Sequence, residues 1–164
     1  MREADYMKDA DKLMARIKKG AFLTVKSGDQ TNTMTIGWAT IGIMWHKPVM
    51  MVAVRSSRHT FGIIEQAHDF TVSVPSTDMK KEIMFCGTKS GRDFNKFEEC
   101  SLSTRDSRQV STPIIHIPGL HYECGIVYKT AMTPEYLDSK LEELYPEKDY
   151  HTLYFGQILE CYQT

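Results

Sequence analysis

Polar, hydrogen-bonding residues run through the strand-like segments of residues 31–75, and this pattern constrains the fold more than any other part of the chain. Residues 32–38 read NTMTIGW, and apolar stretches follow at residues 49–54 and 70–74. Alternation of apolar and polar residues predicts strands with one buried face. Polar side chains within such strands are typical of a sheet that holds a polar ligand.

The length of 164 residues fits one domain with a sizeable core, and we expect residues 1–164 to form a single domain. Apolar residues at helical spacing, from Tyr6 to Ile17, predict an N-terminal helix within residues 1–20 that stops at Gly20. The net charge of −1 provides no basic field for nucleic acid. No apolar run reaches bilayer length, and the N-terminus lacks the apolar core of a signal peptide, which favours a cytoplasmic protein without a membrane partner.

The cysteines and histidines show no metal-binding spacing. No CxxC, HxH, HxxxH or HExxH pattern occurs, so no metal site is expected. A chain of this size does not need disulfides, and we interpret the cysteines as thiols. The four cysteines are Cys86, Cys100, Cys124 and Cys161.

Short helices interrupt many strands without a regular βαβ alternation, and no GxGxxG or GxxxxGK[ST] motif is present. Gly37 and Gly42 lie inside a strand-like run, which predicts a bulge or close approach by a ligand. We predict a mainly antiparallel β-barrel with short peripheral α-helices. Helices are predicted at residues 58–68, 78–85 and 134–144, and further strands at residues 21–26, 33–45, 114–117, 122–129 and 152–162.

Two basic segments are suited to an anion. The segment VRSSRHT lies where a strand gives way to a helix, so its cations and hydroxyls stand beside free amide groups of the helix start. In the loop CGTKSGRDFNKF, residues 86–97, two glycines allow tight turns, and the possible donors are Lys89, Ser90, Arg92 and Lys96. A capped helix start and a basic surface loop are the alternatives, but two such segments together favour a phosphorylated ligand.

In NTMTIGW, Asn32 and Thr35 can hydrogen-bond the edge of a heterocycle, and Trp38 can stack on it. The alternative places Trp38 and Met34 in the core. Glu123 lies in a β-rich run and either points inward or faces solvent. No nucleophile-and-base signature is present, so the chemistry is expected to belong to a bound cofactor. Polar candidates near such a site are His59, His121 and His151.

The run NTMTIGWATIGIMWHKPVMMVAVRSSRHTFGII resembles the flavin reductase-like, FMN-binding split-barrel family, and its flavoredoxin branch in particular. The resemblance continues in order through DFTVSVP, CGTKSGRDFNKF, YECGIVYK and HTLYFGQIL. It implies a Greek-key split β-barrel that forms a homodimer with FMN near the subunit interface. It also implies an FMN oxidoreductase that uses NADH or NADPH, or a flavoredoxin-like electron carrier with a redox partner protein. A non-catalytic FMN-binding or dimeric interaction module is the alternative.

Motif by motif, the resemblance assigns residues of this chain to FMN. Those expected along the flavin ring are Asn32, Met34, Thr35 and Trp38. Those expected around the phosphate and ribityl chain are Arg55, Ser56, Ser57, Arg58 and Thr60. Those expected to close the phosphate end are Lys89, Ser90 and Lys96. From the last strand, Phe155 and the catalytic candidate His151 approach the ring, and Gln157 stands where the family often has Glu.

Overall fold

A computed structural model describes residues 2–3 and 9–164, with side chains from residue 9 onward. Helix α1, Ala10–Ile17, buries Leu13 and Ile17, so the N-terminal helix is shorter than the predicted span of residues 1–20. Arg2–Glu3 forms strand β1 beside the end of the last strand, where its backbone groups find hydrogen-bond partners. Tyr6, which was predicted to lie on the apolar face of the helix, falls outside the described residues.

One antiparallel sheet dominates the structure, as the sequence predicts. The strands that follow β1 are β2 Ala21–Ser27, β3 Gln30–Ile36, β4 Ala39–Met44, β5 Lys47–Arg55, β6 Asp69–Pro75, β7 Thr104–Arg105, β8 Ile114–Ile115, β9 Gly119–Ala131 and β10 His151–Gln163. The strand order in the sheet is β3-β2-β6-β9-β10-β5-β4, with β1 beside β10 and with β7 and β8 paired separately.

The predicted strand over residues 33–45 is in fact two strands. β3 pairs with β2, whereas β4 pairs with β5, so the chain changes partner at Gly37 and Trp38. The backbone N–H of Ala53 donates to the Trp38 carbonyl across this break. Gly37 lies at the break itself. A Cβ atom at Gly42 would meet no other atom within 4 Å, so no close contact requires glycine at that position.

Three short α-helices besides α1 flank the sheet, whereas the segment predicted as one helix over residues 134–144 forms no α-helix. That segment forms two 3-10 turns, Pro134–Tyr136 and Ser139–Leu144, neither of which buries a residue. An α-helix of this length needs a packed apolar face to be stable, and this segment has none. No helix among the described residues is long and apolar enough to cross a membrane. The α-helices are α2 His59–Ile64, α3 Lys80–Thr88 and α4 Lys96–Glu99.

The main apolar core fills the barrel, and a smaller cluster lies beneath α3. A Cβ atom at Gly156 would lie 2.7 Å from the Phe70 ring, so glycine allows β10 to approach the barrel core closely. The barrel core includes Leu23, Val52, Phe70, Tyr122 and Tyr154. The smaller cluster consists of Phe22, Cys86, Leu102, Ile115 and Ile117.

Two buried carboxylates hold the loop of residues 106–112 against the barrel. Glu123 accepts hydrogen bonds from two backbone N–H groups of this loop, at 2.7 and 2.9 Å, and from the Tyr162 hydroxyl at 2.8 Å. Asp69 accepts hydrogen bonds from two more backbone N–H groups of the loop, both at 3.0 Å. Glu123 therefore points inward, and its role is to satisfy buried donors.

His121 is fully buried and serves the fold. Its Nδ1 lies 3.0 Å from Ser73 Oγ, and its Nε2 lies 3.1 Å from the Ile117 carbonyl and 2.9 Å from Thr164 Oγ1. Burial lowers the pKa of His121 to about 4. The folded protein therefore holds this imidazole neutral through most of the acidic range.

We predict that His121→Gln flattens the acid dependence of stability. Between about pH 6.5 and pH 4, the unfolded chain binds a proton at His121 that the folded chain does not bind. The free energy of unfolding therefore falls with falling pH, by up to about 3 kcal/mol from this residue. Urea unfolding from pH 7 to pH 4.5 measures the slope. His68→Gln, at an exposed histidine, is the matched control and keeps the wild-type slope. An unchanged slope in His121→Gln would contradict a buried neutral imidazole.

Candidate functional site

The break between β3 and β4 opens a pocket of about 310 Å³, which we call the aromatic pocket. Its walls come from the ends of β3, β5 and β10, from the break itself and from the C-terminal end of α3. The lining residues are Met34, Thr35, Ile36, Gly37, Trp38, Ala53, Arg55, Arg58, Gly87 and His151.

Trp38 forms a wall of the aromatic pocket. Its side chain is 44% exposed, and its ring centroid lies 4.7 Å from that of His151. The alternative that places Trp38 in the core is therefore wrong, whereas its stacking on a ligand stays a prediction. Met34 is 5% exposed and belongs to the barrel core while touching the pocket. Thr35 also lines the pocket, and its hydroxyl donates to the Ile83 carbonyl at 2.5 Å.

A neutral histidine faces the aromatic pocket. His151 Nδ1 lies 2.7 Å from the Tyr145 hydroxyl, and both side chains are buried. Burial, with the charge of Arg55 as a second cause, lowers the pKa of His151 to about 4. The Tyr145 hydroxyl is also 3.3 Å from the Met132 sulfur, but a thioether is a weak acceptor. We therefore assign the hydroxyl proton to the bond with Nδ1, which leaves His151 with its own proton on Nε2.

Arg55 ties the segment before β10 to the end of β5. Its guanidinium lies 2.6 Å from Asp149 Oδ1, donates to the Leu144 carbonyl at 2.8 Å, and lies 4.7 Å from the Tyr145 ring centroid. The Ser57 hydroxyl donates to the other Asp149 oxygen at 2.7 Å. The Ser57 bond and then the Arg55 contacts lower the pKa of Asp149. Arg55 therefore lines the aromatic pocket, beside the strand β10 with which β5 pairs.

A second pocket, which we call the cationic pocket, lies between the start of α2 and the loop after α3 and has a volume of about 100 Å³. Arg58 lines both pockets, so the two adjoin. The lining residues of the cationic pocket include basic side chains and no acidic one, so the pocket is electrostatically positive. The lining residues are Ser57, Arg58, His59, Thr60, Thr88, Lys89, Ser90, Gly91, Arg92 and Lys96.

Lys96 is a buried cation at the cationic pocket. It is 3% exposed, and in the described part of the chain its hydrogen-bond partner is the Cys86 carbonyl at 2.9 Å. Burial lowers the pKa of Lys96 to about 8, and the charge of Arg58 acts in the same direction. An ammonium group has three donors, and burying it without a counter-charge is costly. The pocket is therefore suited to an anion.

Asn32 stands behind the cationic pocket and not along the aromatic one. Its amide donates to Thr60 Oγ1 at 2.8 Å. A Cβ atom at Gly91 would lie 2.6 Å from Asn32 Oδ1 and 2.7 Å from the His59 ring. Glycine therefore lets the loop after α3 pack directly against Asn32, which sets the depth of the pocket.

Phe155 and Ser56 are not brought to either pocket. Phe155 follows His151 by about 13 Å along β10. Its ring packs with Trp45 and Tyr128, at centroid distances of 6.4 and 5.7 Å. We call these three residues the aromatic face. Ser56 is exposed in the turn before α2. His121 also lines neither pocket.

Two residues of the site were missed from the sequence. Tyr145 and Asp149 fall between the helix predicted at residues 134–144 and the strand predicted at residues 152–162, where His151 alone was predicted as a site residue. The available signal was a cluster of aromatic and acidic residues directly before the strand that begins with His151. Arg92 was noted as a donor but not assigned to the ligand, and it lines the cationic pocket. Among the described residues, no group of three or more His, Cys, Asp or Glu side chains is arranged to hold a metal ion.

Comparison with known proteins places this arrangement in a family. The model of the flavin reductase like domain matches residues 14–164. The chain belongs to this family. An uncharacterized protein of Archaeoglobus fulgidus is 29% identical over 138 residues, which are 84% of this chain and 68% of that protein. The chain thus spans about two thirds of this relative's length.

Several solved structures share the fold of this chain. The FMN-binding domain of a flavin reductases-like enzyme from Shewanella baltica OS155 has a TM-score of 0.73 at 16% identity, covering 99% of this chain and 76% of that chain. Flavoredoxin of Desulfovibrio vulgaris (Miyazaki F) has a TM-score of 0.70 at 20% identity, covering 88% of this chain and 69% of that one. The predicted split β-barrel is confirmed by these and further split-barrel neighbours.

We predict that Tyr145→Phe releases the His151 tautomer in this flavin reductase-like protein. Without the hydroxyl, Nδ1 loses its donor, so both neutral tautomers become populated. Two-dimensional ¹H–¹⁵N NMR of the imidazole distinguishes the tautomers at neutral pH. Tyr150→Phe is the control, because the Tyr150 ring packs on Tyr145 at 4.8 Å and the change leaves the Tyr145 hydroxyl in place. A single Nε2–H tautomer in both variants would show that Tyr145 does not hold His151.

Proposed function

We propose that the chain binds FMN across the two pockets and acts as a flavin-dependent oxidoreductase. The observation that carries this proposal is the buried Lys96, a cation in need of an anionic partner, in a pocket that adjoins one walled by Trp38. Arg58 belongs to both pockets, so one ligand with an anionic end and a planar end can lie across them. FMN has this shape and this distribution of charge.

The cationic pocket fits the phosphate. Lys89, Arg92 and Lys96 offer positive charge, and Ser90 offers a hydroxyl. Charge-assisted hydrogen bonds to phosphate are among the stronger contacts that a protein makes. An anion here would also offset the burial of Lys96, which the fold otherwise leaves with one carbonyl partner.

The aromatic pocket fits the ring. Trp38 supplies an aromatic wall, Gly87 also lines the pocket, and His151 presents an Nε2–H donor. When bound, FMN supplies hydride and one-electron chemistry. Trp38 would shield the pocket from water. His151, neutral at pH 7, would donate a hydrogen bond without carrying charge, and Arg55 would stabilise negative charge that develops in the pocket.

We propose NADH or NADPH as the hydride donor, with free flavin or another acceptor receiving the electrons. The family's name supports a donor that reduces flavin in the aromatic pocket. In the flavoredoxin-like form of the proposal, FMN stays bound and a redox partner protein takes the place of the nicotinamide. The cytoplasmic location expected from the sequence stays a prediction.

The aromatic face supports the prediction of a homodimer. Trp45 and Tyr128 are about half exposed, and Ile43 and Met44 next to Trp45 are exposed as well. Contiguous exposed apolar side chains of this kind are typical of association surfaces.

One sheet carries this face and the strands that line the aromatic pocket, which supports the prediction of a single domain.

We predict that Lys96→Met weakens FMN binding about 10- to 100-fold, as expected for loss of a charge-assisted contact. Riboflavin, which lacks the phosphate, should lose less than about threefold in affinity. Fluorescence titration with both ligands measures the difference. Lys80→Met, at an exposed lysine of α3, is the control and binds FMN like the wild type. Equal losses for FMN and riboflavin would remove Lys96 from the phosphate site.

The pH dependence of FMN binding tests the same contact. Burial lowers the pKa of Lys96 to about 8, so the free protein loses this charge as the pH rises through that value. We expect wild-type affinity for FMN to fall above pH 8 and affinity for riboflavin to stay level. In Lys96→Met, the affinity for FMN should stay level over the same pH range. A wild-type affinity for FMN that is level up to pH 9.5 would contradict the assignment.

We predict that the protein is yellow with FMN and that its 450 nm band bleaches when NADH or NADPH is added without oxygen. Steady-state NAD(P)H oxidation with excess FMN then separates the two forms of the proposal. A reductase turns over the added FMN, whereas a flavoredoxin-like carrier does not. A protein that gains no flavin absorbance with added FMN would refute the proposed function.

A further inference from the structure

Two thiols outside the contacts proposed for FMN lie within reach of each other. The sulfur atoms of Cys86 and Cys100 are 4.0 Å apart, and neither residue is in a disulfide. Cys86 lies in the last turns of α3 and is fully buried, whereas Cys100 follows α4 directly and is half-buried. A disulfide has sulfurs about 2.05 Å apart, so the two must approach by about 2 Å.

The chain between these cysteines forms much of the cationic pocket and touches the aromatic one. Gly87 lines the aromatic pocket, and residues 88–92 together with Lys96 line the cationic one. The Cys86 carbonyl is the acceptor for Lys96, so one end of the thiol pair already touches the buried cation. A covalent bond between Cys86 and Cys100 would close a ring around this whole loop.

We propose that Cys86 and Cys100 form a reversible disulfide, with a peroxide as the oxidant, and that the bond locks the loop of residues 87–96. The modification site is defined by the spacing of the two sulfurs and by their positions at the two ends of the loop. The formation of the bond requires no bound flavin. The effect on ligand binding rests on the proposed function.

The oxidation proceeds in two balanced steps. The Cys100 sulfur, the more accessible of the two, attacks hydrogen peroxide and becomes a sulfenic acid with release of water. The Cys86 sulfur then attacks that of Cys100, the S–S bond forms, and a second water leaves. Both thiols are oxidised by one electron each, and one peroxide is reduced to two waters. A dithiol reductant reverses the reaction by thiol–disulfide exchange.

The surroundings of the pair predict a slow reaction. Burial raises the pKa of Cys86 to about 12 and also raises the pKa of Cys100, while the charge of Lys96 opposes both shifts. The thiolate fraction is therefore small, and we expect oxidation over minutes to hours. Cys124 is fully buried in the barrel core and belongs to a different cluster from Cys86, so it serves as an internal reference.

The test oxidises the full chain with hydrogen peroxide, removes the excess with catalase and alkylates the unfolded protein. Mass spectrometry should show two fewer alkyl groups and a peptide pair joined at Cys86 and Cys100. Dithiothreitol should restore both alkylation sites. Absence of this cross-link, or a cross-link that involves Cys124 instead, would overturn the proposal.

Hydrogen exchange and FMN titration test the locking of the loop. In the oxidised protein, residues 87–96 should exchange more slowly, and FMN should bind about 3- to 10-fold more tightly because the pocket is pre-organised. Unchanged exchange in the cross-linked protein would refute the locking. If the protein binds no FMN in either state, the proposed function fails, while the cross-link and exchange results still decide the thiol inference.

Two variants guard against effects of peroxide elsewhere in the chain. Cys100→Ser changes the half-buried partner, and it should form no cross-link and show no change in exchange on oxidation. Cys86→Ala, at the buried partner, should give the same result. If either variant still slows exchange in residues 87–96 after peroxide treatment, the cause is not this disulfide and the inference is overturned.

Discussion

The antiparallel pairing of β10 with β5 and β9 is the contact on which the site depends. It places His151 directly opposite Arg55, although the two are far apart in the chain. The segment that leads into β10 is thereby drawn over the end of β5, where Asp149 meets the Arg55 guanidinium. Gly156 makes the pairing compatible with the core, because a side chain there would collide with Phe70.

Buried charges in this barrel fall into two kinds. The carboxylates of Asp69 and Glu123 are surrounded by backbone N–H donors, so their charge is compensated within the fold. Lys96 is equally buried but has one carbonyl partner, and Arg58 lies close to it. A buried charge whose hydrogen bonds are satisfied by the protein is compatible with the fold alone. A buried charge with few partners is suited to a ligand of opposite charge.

Much of the fold could be predicted from local pattern. The alternation in residues 70–74 and the apolar run in residues 49–54 became β6 and β5, because half-buried strands impose a period of two on the sequence. Residues of the two basic segments also line one pocket, while the phosphorylated ligand inferred from them stays a prediction. The segment of residues 134–144 was misjudged, since helical composition is insufficient where no apolar face is packed.

Composition and order of motifs specify a mainly β barrel, a polar-lined strand at residues 32–38 and two basic loops. They do not specify which side chains share a pocket, because that depends on strand register and on where the chain changes partner. The break at Trp38, the bond between Tyr145 and His151, and the pairing of Arg55 with Asp149 all join residues that are distant in sequence or lie in irregular backbone. Contacts of this kind carry no periodic signal, so only the folded barrel reveals them.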